Sequence, residues 1–231
     1  MQGFASVTAG RERWDAHTSV PRHRHEHAYA AIVLAGGYEE CGSHGRFRVG
    51  PGDVLLHGPF DAHLDRFFAA GANILNLIVP ALALPRFRRG RVADADVIAR
   101  LAQRDRRAAG DELVRQLRAQ PHACVDWPDL LALELLRDPS CRLDAWARRH
   151  GLAPATISRG FRRTFGVTPA AFRLEARTHR AFERIVTSAQ PLADLAQATG
   201  FADQAHLTRA VRALTGVSPA AWRPSNRFKT R

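Results

Sequence analysis

Lysine is all but missing from this chain: Lys229 is the only one among 34 basic residues. Cysteine is scarce too. Cys41, Cys124 and Cys141 are odd in number and show no CxxC or other metal-ligand spacing, which excludes a disulfide framework or a thiolate zinc site and points to free thiols in a reducing compartment. Met1 to Arg13 lacks a basic segment followed by an apolar core, so no signal peptide is expected and the location expected is the cytoplasm. Long apolar runs are absent as well. The one uncharged stretch, Phe67 to Pro85, is interrupted by Asn73, Asn76, Pro80 and Pro85, and its apolar centre, Ile74 to Val79, has the length of a buried strand. That excludes a membrane-spanning helix there and leaves no reason to expect a membrane partner. No Ser/His/Asp set or carboxylate pair stands out, so catalysis is not expected.

The scarcity that says most is that of acids at one end. Residues 140–231 hold 15 Arg and 1 Lys against 5 acids, a net of +11, out of +12 for the whole chain. Residues 1–80 carry 7 Arg against 8 acids, and residues 81–139 carry 11 Arg against 9. One region built to meet a polyanion would give this distribution. A coding bias towards arginine would enrich it everywhere but would not strip acids from one end. With 45% hydrophobic and 24% charged residues the chain is of ordinary globular composition, and 231 residues can form two modest domains.

From Ala30 to about Val79, short apolar runs alternate with turn residues. AAIVL is followed by Gly36-Gly37, then Ser43-His44-Gly45, RFRV, Gly50-Pro51-Gly52-Asp53, VLLH and Gly58-Pro59. This spacing predicts an antiparallel sheet closing into a sandwich or small barrel. In Arg46-Phe47-Arg48-Val49, alternation puts Phe and Val on one face and both arginines on the other. After Pro85 the pattern turns helical: Asp94 to Gln120 reads as a long helix divided at Gly110, Pro121 to Pro128 as a connector, and Leu130 to Leu136 as a helix ending near Asp138-Pro139.

The strongest signal is an internal repeat. SRGFRRTFGVTPAAFR (158–173) aligns with TRAVRALTGVSPAAWR (208–223) at an offset of 50, with eight of 16 positions identical. Upstream the offset is 49, with Ala147 opposite Ala196 and Gly151 opposite Gly200. Each copy reads as helix, tight turn, helix. Gly151 and Gly200 supply the left-handed residue that ends the first helix, Pro154 opens the next in one copy, and Asp203 caps it in the other. Thr168-Pro169 and Ser218-Pro219 then restart a helix. Between the copies, Pro169 to about Ser188 predicts one helix of roughly 30 Å, near the roughly 34 Å of one turn of B-DNA.

Such a pair, with GFADQAHLTRAVRALTGVSPAAWR as its second copy, resembles the AraC-type DNA-binding domain over roughly residues 128–224. Gly160, Ala210 and Val211 stand where that family has larger apolar or aromatic residues, lightening the core without removing a DNA-facing side chain. The second helix of each copy is expected in the major groove, where its first two turns face base edges and flanking basic residues meet phosphates. In copy one these are Ala155, Thr156, Ser158 and Arg159, with Arg162 and Arg163 next; in copy two, Gln204, Ala205, His206, Thr208 and Arg209, with Arg212 next. Arg159 and Arg209 hold the same place in the repeat, and arginine suits bidentate contact with guanine. Arg148, Arg149, Arg173, Arg177 and Arg223 read as solvated surface charges.

Seven of 11 histidines lie in the first 63 residues. In HRHEH, His23, His25 and His27 would share one face of an extended strand, with Arg24 and Glu26 turned away. His57 and His63 follow downstream, enough nitrogen for zinc, iron or nickel. PRHRHEHAYAAIVLAGG followed by VGPGDVLLHGPFDAHL resembles the cupin-like sensor found ahead of AraC-type domains. Where metal-binding cupins carry a glutamate after the HxH pair, this chain has Tyr29 and Ala30, so three readings stay open: a metal held by His23, His25 and His63, imidazoles lining an organic-ligand pocket, or imidazoles capping strand ends.

The expectation is an α+β chain: residues 1–85 a cupin-like β-barrel sensing an effector, 86–127 a helical connector that would mediate a homodimer, and 128–231 an all-α domain with two helix-turn-helix units. The function expected is a sequence-specific transcriptional regulator, an activator responding to a small molecule, with double-stranded DNA and, if it activates, RNA polymerase as partners. The rival reading is a cupin-type metal-binding protein or metalloenzyme, which would leave the repeat and the basic end unexplained.

Overall fold

A computed structural model describes residues 9–80, 87–121, 126–138 and 140–223. The chain divides into two compact units, Met1–Leu130 with Arg162–Gly166, and Leu131–Phe161 with Val167–Arg231.

The first unit is built on an antiparallel sheet of eight strands: β1 (Gly10–Trp14), β2 (Ser19–Arg24), β3 (Tyr29–Gly42), β4 (Gly45–Val49), β5 (Asp53–His57), β6 (Ala62–Ile78), β7 (Arg89–Arg91) and β8 (Arg118–Ala119). They run in the order β1-β6-β3-β5-β7-β8, with β2 also on β6 and β4 also on β3. Turns lie at Ser43-His44, at 50–52 and at Gly58-Pro59, as the sequence predicts. Three strands escaped the sequence reading. β1 has one apolar residue, Trp14, in five, while β7 and β8 are three and two residues long, too short to show a period.

Gly36-Gly37 is not the turn expected there. β3 runs straight through it, and its pairing with β6 slips between Val33 and Ala35 and again between Gly36 and Tyr38. A Cβ on Gly36 would lie 2.1 Å from the Gly71 carbonyl oxygen, so the two strands approach this closely only because position 36 is glycine. The slip changes which side chains share a face. Tyr29, Ala31 and Val33 lie on the same side as Tyr38, and in β6 Phe67 lies on the same side as Ala72 and Ile74. Odd positions before each irregularity and even positions after it, or the reverse, therefore line one inner surface.

On the outer surface Ala30, Ile32, Val54, Leu56, Leu75 and Leu77 meet two helices, α1 (Ala95–Ala102) and α2 (Arg106–Gln116), through Ile98, Ala99, Ala109 and Leu113. Fully burying residues such as Ile98 and Leu113 is worth about 1.5–3 kcal/mol each. Segment 86–127 thus contributes β7, β8, α1 and α2 to the first unit. Gly110 does not divide the helices. It sits inside α2, and the break falls at 103–105, where Asp105 accepts hydrogen bonds from the amides of Arg107 (2.9 Å) and Ala108 (3.0 Å). A capping aspartate starts a helix outright, whereas an internal glycine merely weakens one, by about 1 kcal/mol. The two arginines on the outward face of β4 also part company. Arg48 is exposed, while Arg46 is buried and grips the fully buried Asp129 carboxylate through two hydrogen bonds of 2.9 and 2.8 Å.

The remaining helices are α3 (Trp127–Arg137), α4 (Leu143–Arg149), α5 (Pro154–Phe165), α6 (Pro169–Thr187), α7 (Leu192–Ala198) and α8 (Gln204–Thr215), closed by a 3₁₀ turn at Pro219–Trp222. α4–α5 and α7–α8 are the two copies of the repeat. Gly151 (φ 63°) and Gly200 (φ 79°) occupy the left-handed region that reverses the chain between helices. Thr168 caps α6 through the Ala171 amide (3.2 Å) and Asp203 caps α8 through the His206 amide (2.6 Å). Ser218 makes no such cap, and the helix expected after it is only the 3₁₀ turn. α6 buries Phe172, Ala176, Ala181, Phe182 and Ile185 at helical spacing. Phe161 meets Phe172 edge to face, centroids 5.4 Å apart, and Val211, at the position matching Phe161, is also fully buried. No helix among the described residues is long and apolar enough to cross a membrane.

Candidate functional site

Two sets of side chains, one in each unit, have a chemistry that packing alone does not require.

α8 in the second unit and α5, which belongs to that unit up to Phe161, turn apolar residues inward and polar ones outward at helical spacing. Ile157 and Phe161 in α5, and Leu207, Val211 and Leu214 in α8, are buried. Ala155, Thr156, Ser158, Arg159 and Arg162 are exposed on α5, and Gln204, Ala205, Arg209 and Arg212 are exposed on α8. His206 and Thr208 are half-buried, the His206 ring standing edge-on to Phe201 at 5.1 Å, so part of that imidazole serves the turn itself.

The arginines divide into two groups. Arg173 donates to the Cys141 carbonyl (2.7 Å), Arg177 to the Gly200 carbonyl (2.8 Å), and Arg223 to the carbonyls of Ser188 (2.6 Å) and Gln190. The sequence reading took these three as solvated charges. They are half-buried fasteners on backbone oxygens, and those of Ser188 and Gly200 follow the C-terminal ends of α6 and α7, where a cation also meets the negative end of the dipole. Arg148 and Arg149 are surface residues as expected, within 3.8 Å of Asp144 and Glu134. The side chains of Arg159, Arg162, Arg209 and Arg212, in contrast, are exposed and have no hydrogen-bond or ion-pair partner among the described residues. Holding four unneutralised cations on the outward faces of two matched helices costs self-repulsion that no internal contact offsets.

In the first unit the inner surface of the sheet lines a half-open cavity of about 670 Å³, bounded in part by Trp14, His23, His25, Tyr29, Glu40, His63, Asp65 and Phe67. Backbone register explains the gathering. His63 and Asp65 alternate along β6, and the Gly36 bulge puts Glu40 on the same side as Tyr29. His23 and His25 stand at the end of β2 with Nε2 atoms 3.1 Å apart, and the His23 and His63 rings are 4.3 Å apart. His27 does not join them, contrary to the alternation read from HRHEH. β2 ends at Arg24, the chain bends, and His27 is exposed. Arg24, read as pointing away, is buried. His57 lies one layer further in, its ring stacked on Tyr29 with centroids 4.3 Å apart.

Burial governs the protonation of this group. It pushes the His57 imidazole down to about 3 and holds His63 well below its ordinary value, with neighbouring imidazoles adding to the effect. His23 is lowered by burial even though the Pro21 carbonyl, 2.9 Å from its Nδ1, works the other way. Burial raises Asp65 to about 8, and raises Glu40 well above its ordinary value with help from Asp65 and Asp61. At neutral pH His57 and His63 are therefore neutral, His23 is biased the same way, and Glu40 and Asp65 are held towards the protonated form, a wall of donors and acceptors suited to a polar ligand. Glu40 and Asp65 were missed by sequence reasoning. Asp65 was legible as the period-two partner of His63; Glu40 was hidden by the bulge.

Residues 146–225 match a family described as a helix-turn-helix domain. No curated protein matches the chain. Among solved structures, it is similar to unsaturated-fatty-acid-bound ToxT from Vibrio cholerae at 8% identity and a TM-score of 0.42, covering 92% of this chain and 93% of that one. It is also similar to the C-terminal domain of AraT, a response regulator from Geobacillus stearothermophilus, at 19% identity and a TM-score of 0.38, covering 42% of this chain and 84% of that one. A transcriptional regulator with an AraC-type DNA-binding domain from Chromobacterium violaceum stands at 21% identity and a TM-score of 0.36, covering 42% and 85%.

Proposed function

From the premise that residues 146–225 are an AraC-type helix-turn-helix domain of a DNA-binding transcription regulator, we propose that α5 and α8 read two adjacent major-groove segments. The observation that carries this is the set of unpartnered arginines. In this reading Arg159 and Arg209 meet base edges and Arg162 and Arg212 meet phosphates, with Ala155, Thr156, Ser158, Gln204, Ala205, His206 and Thr208 completing the readout. The 19 residues of α6 give a strut of about 28 Å between the readers.

The first unit acts in this proposal as the sensor, its cavity taking a small effector whose polar groups meet His23, His25 and His63. Regulation is its role rather than catalysis, with activation the expected sign and run-off transcription with RNA polymerase the assay that reads it. Selection of bound duplexes from a random pool by the full chain tests the DNA reading. Two conserved blocks with centres about 10 base pairs apart are expected. A single block would show that only one reader docks, and two blocks half a turn apart that α6 does not hold the two readers one turn apart.

A further inference from the structure

Behind the wall of the large cavity, β3, β5 and β6 bring one donor atom each from Glu40, His57 and His63 within 4.8 Å of one another. All three residues are buried. The space beside them is about 10 Å³, near the size of a single water-sized sphere and too small for an organic molecule. His57 Nε2 has no hydrogen-bond partner and faces a Glu40 oxygen at 3.5 Å; His63 Nδ1 has none either. The stacked Tyr29 ring holds the His57 imidazole in its plane. Buried imidazole nitrogens are normally satisfied, so a donor group left incomplete beside an ion-sized space calls for something to complete it.

We propose that Glu40, His57 and His63 bind one divalent first-row transition-metal ion. Two imidazole nitrogens and a carboxylate oxygen suit zinc, iron(II) or nickel; calcium and magnesium take all-oxygen sets, and copper(I) favours sulfur. The triad His23, His25 and His63 is the less suitable set. His23 Nδ1 lies 2.9 Å from the Pro21 carbonyl and, donating to it, leaves Nε2 to accept from His25 across 3.1 Å, so that pair satisfies itself without an ion. Glu40 and His63 also line the large cavity, so an ion on them would present its open position to whatever enters there. The inference rests on the reading of the first unit as a ligand-binding unit and does not depend on DNA binding.

The test uses the full chain, stripped with a chelator, dialysed and titrated with Zn²⁺ by calorimetry and with Co²⁺ by its visible d–d absorption. One ion per chain is expected. Loss of an outer-shell partner alone costs about 10–100-fold in metal affinity, so Glu40→Gln and His57→Ala are each expected to cost more than about 100-fold. His27→Ala, at an exposed position outside the cluster, should leave the affinity unchanged. Glu40→Gln keeps the side-chain shape, so it decides the matter if His57→Ala fails to fold. A folded chain that selects DNA but takes up no ion overturns the metal site and leaves the regulator reading intact; one that takes up an ion but selects no DNA does the reverse. Binding lost in His23→Ala and kept in Glu40→Gln would overturn this donor set.

Discussion

The first unit buries His25, Glu40, His57, Asp61, His63 and Asp65, whereas the buried polar side chains of the second, among the described residues, are Thr178 and Thr215. Its basic residues lie outside, half-buried on backbone carbonyls or exposed on α5 and α8. The two units spend their polar chemistry in opposite directions. Desolvating polar groups is costly, and burial in the first unit holds His57 and His63 neutral and Glu40 and Asp65 towards the protonated form, whereas the outward charges of the second stay solvated. In the proposed reading, a small effector would meet the polar interior of the first unit and a DNA duplex the outward arginines of the second.

The contrast breaks most severely if the apolar core of the second unit is opened. Phe161→Ala removes a fully buried ring that meets Phe172, and a loss of about 3–5 kcal/mol is expected. Calorimetry should show the second unit melting far lower, with the transition of the first unit in place. If both transitions move together, the two cores are not independent.

The reverse experiment relieves the first unit of a buried acid. The folded Asp65 carboxyl holds its proton up to about pH 8, while the unfolded one ionises from about 3.8, so its stabilising contribution is complete below the lower value and lost as pH rises through the higher. Asp65→Asn has no proton to lose. It is expected to melt higher than the parent chain, by about 2–4 kcal/mol at pH 7, with a gap that widens from pH 4 to 8 and then levels off. A gap that does not change with pH would show that Asp65 is not held protonated.

On the outward side, Arg209→Ala should cost about 1–3 kcal/mol on the selected site and relax preference at one base position. Arg212→Ala removes the same charge but should weaken all sequences alike and reduce the salt slope by about one phosphate contact. Uniform losses from both would show that Arg209 reads no base. The smallest effect is expected at the turn: Asp203→Ala loses the cap on the His206 amide, about 1 kcal/mol, seen as a modest drop in the melting temperature of the second unit.

Legibility also differs between the units. The helix boundaries of the repeat followed from Gly151, Gly200, Pro154, Thr168 and Asp203, because caps and breakers act on their own few residues of backbone. The faces of α5 and α8 followed from a 3.6-residue period that nothing interrupts. In the sheet, Gly36-Gly37 looked like a turn and proved to be a bulge, because whether two glycines reverse a chain or slip its register depends on the strand across from them. The same dependence hid Glu40, moved His27 away from His23 and His25, and gave Arg46 and Arg48 different fates on one face of β4.

By itself, then, the sequence determined the twofold helical repeat, the direction its arginines face at Arg159 and Arg209, and the separation of a basic end from a neutral one. These are properties of local spacing and composition, which a helix displays along its own length. Only the tertiary structure decided which of the early histidines meet, that Glu40 and Asp65 join them, and that Arg173, Arg177 and Arg223 are bound while Arg159 and Arg209 have no side-chain partner among the described residues. Each of these is set by contact between residues far apart in the chain, through strand register, burial and the reach of a side chain to a distant carbonyl, and no period along the sequence encodes such a meeting.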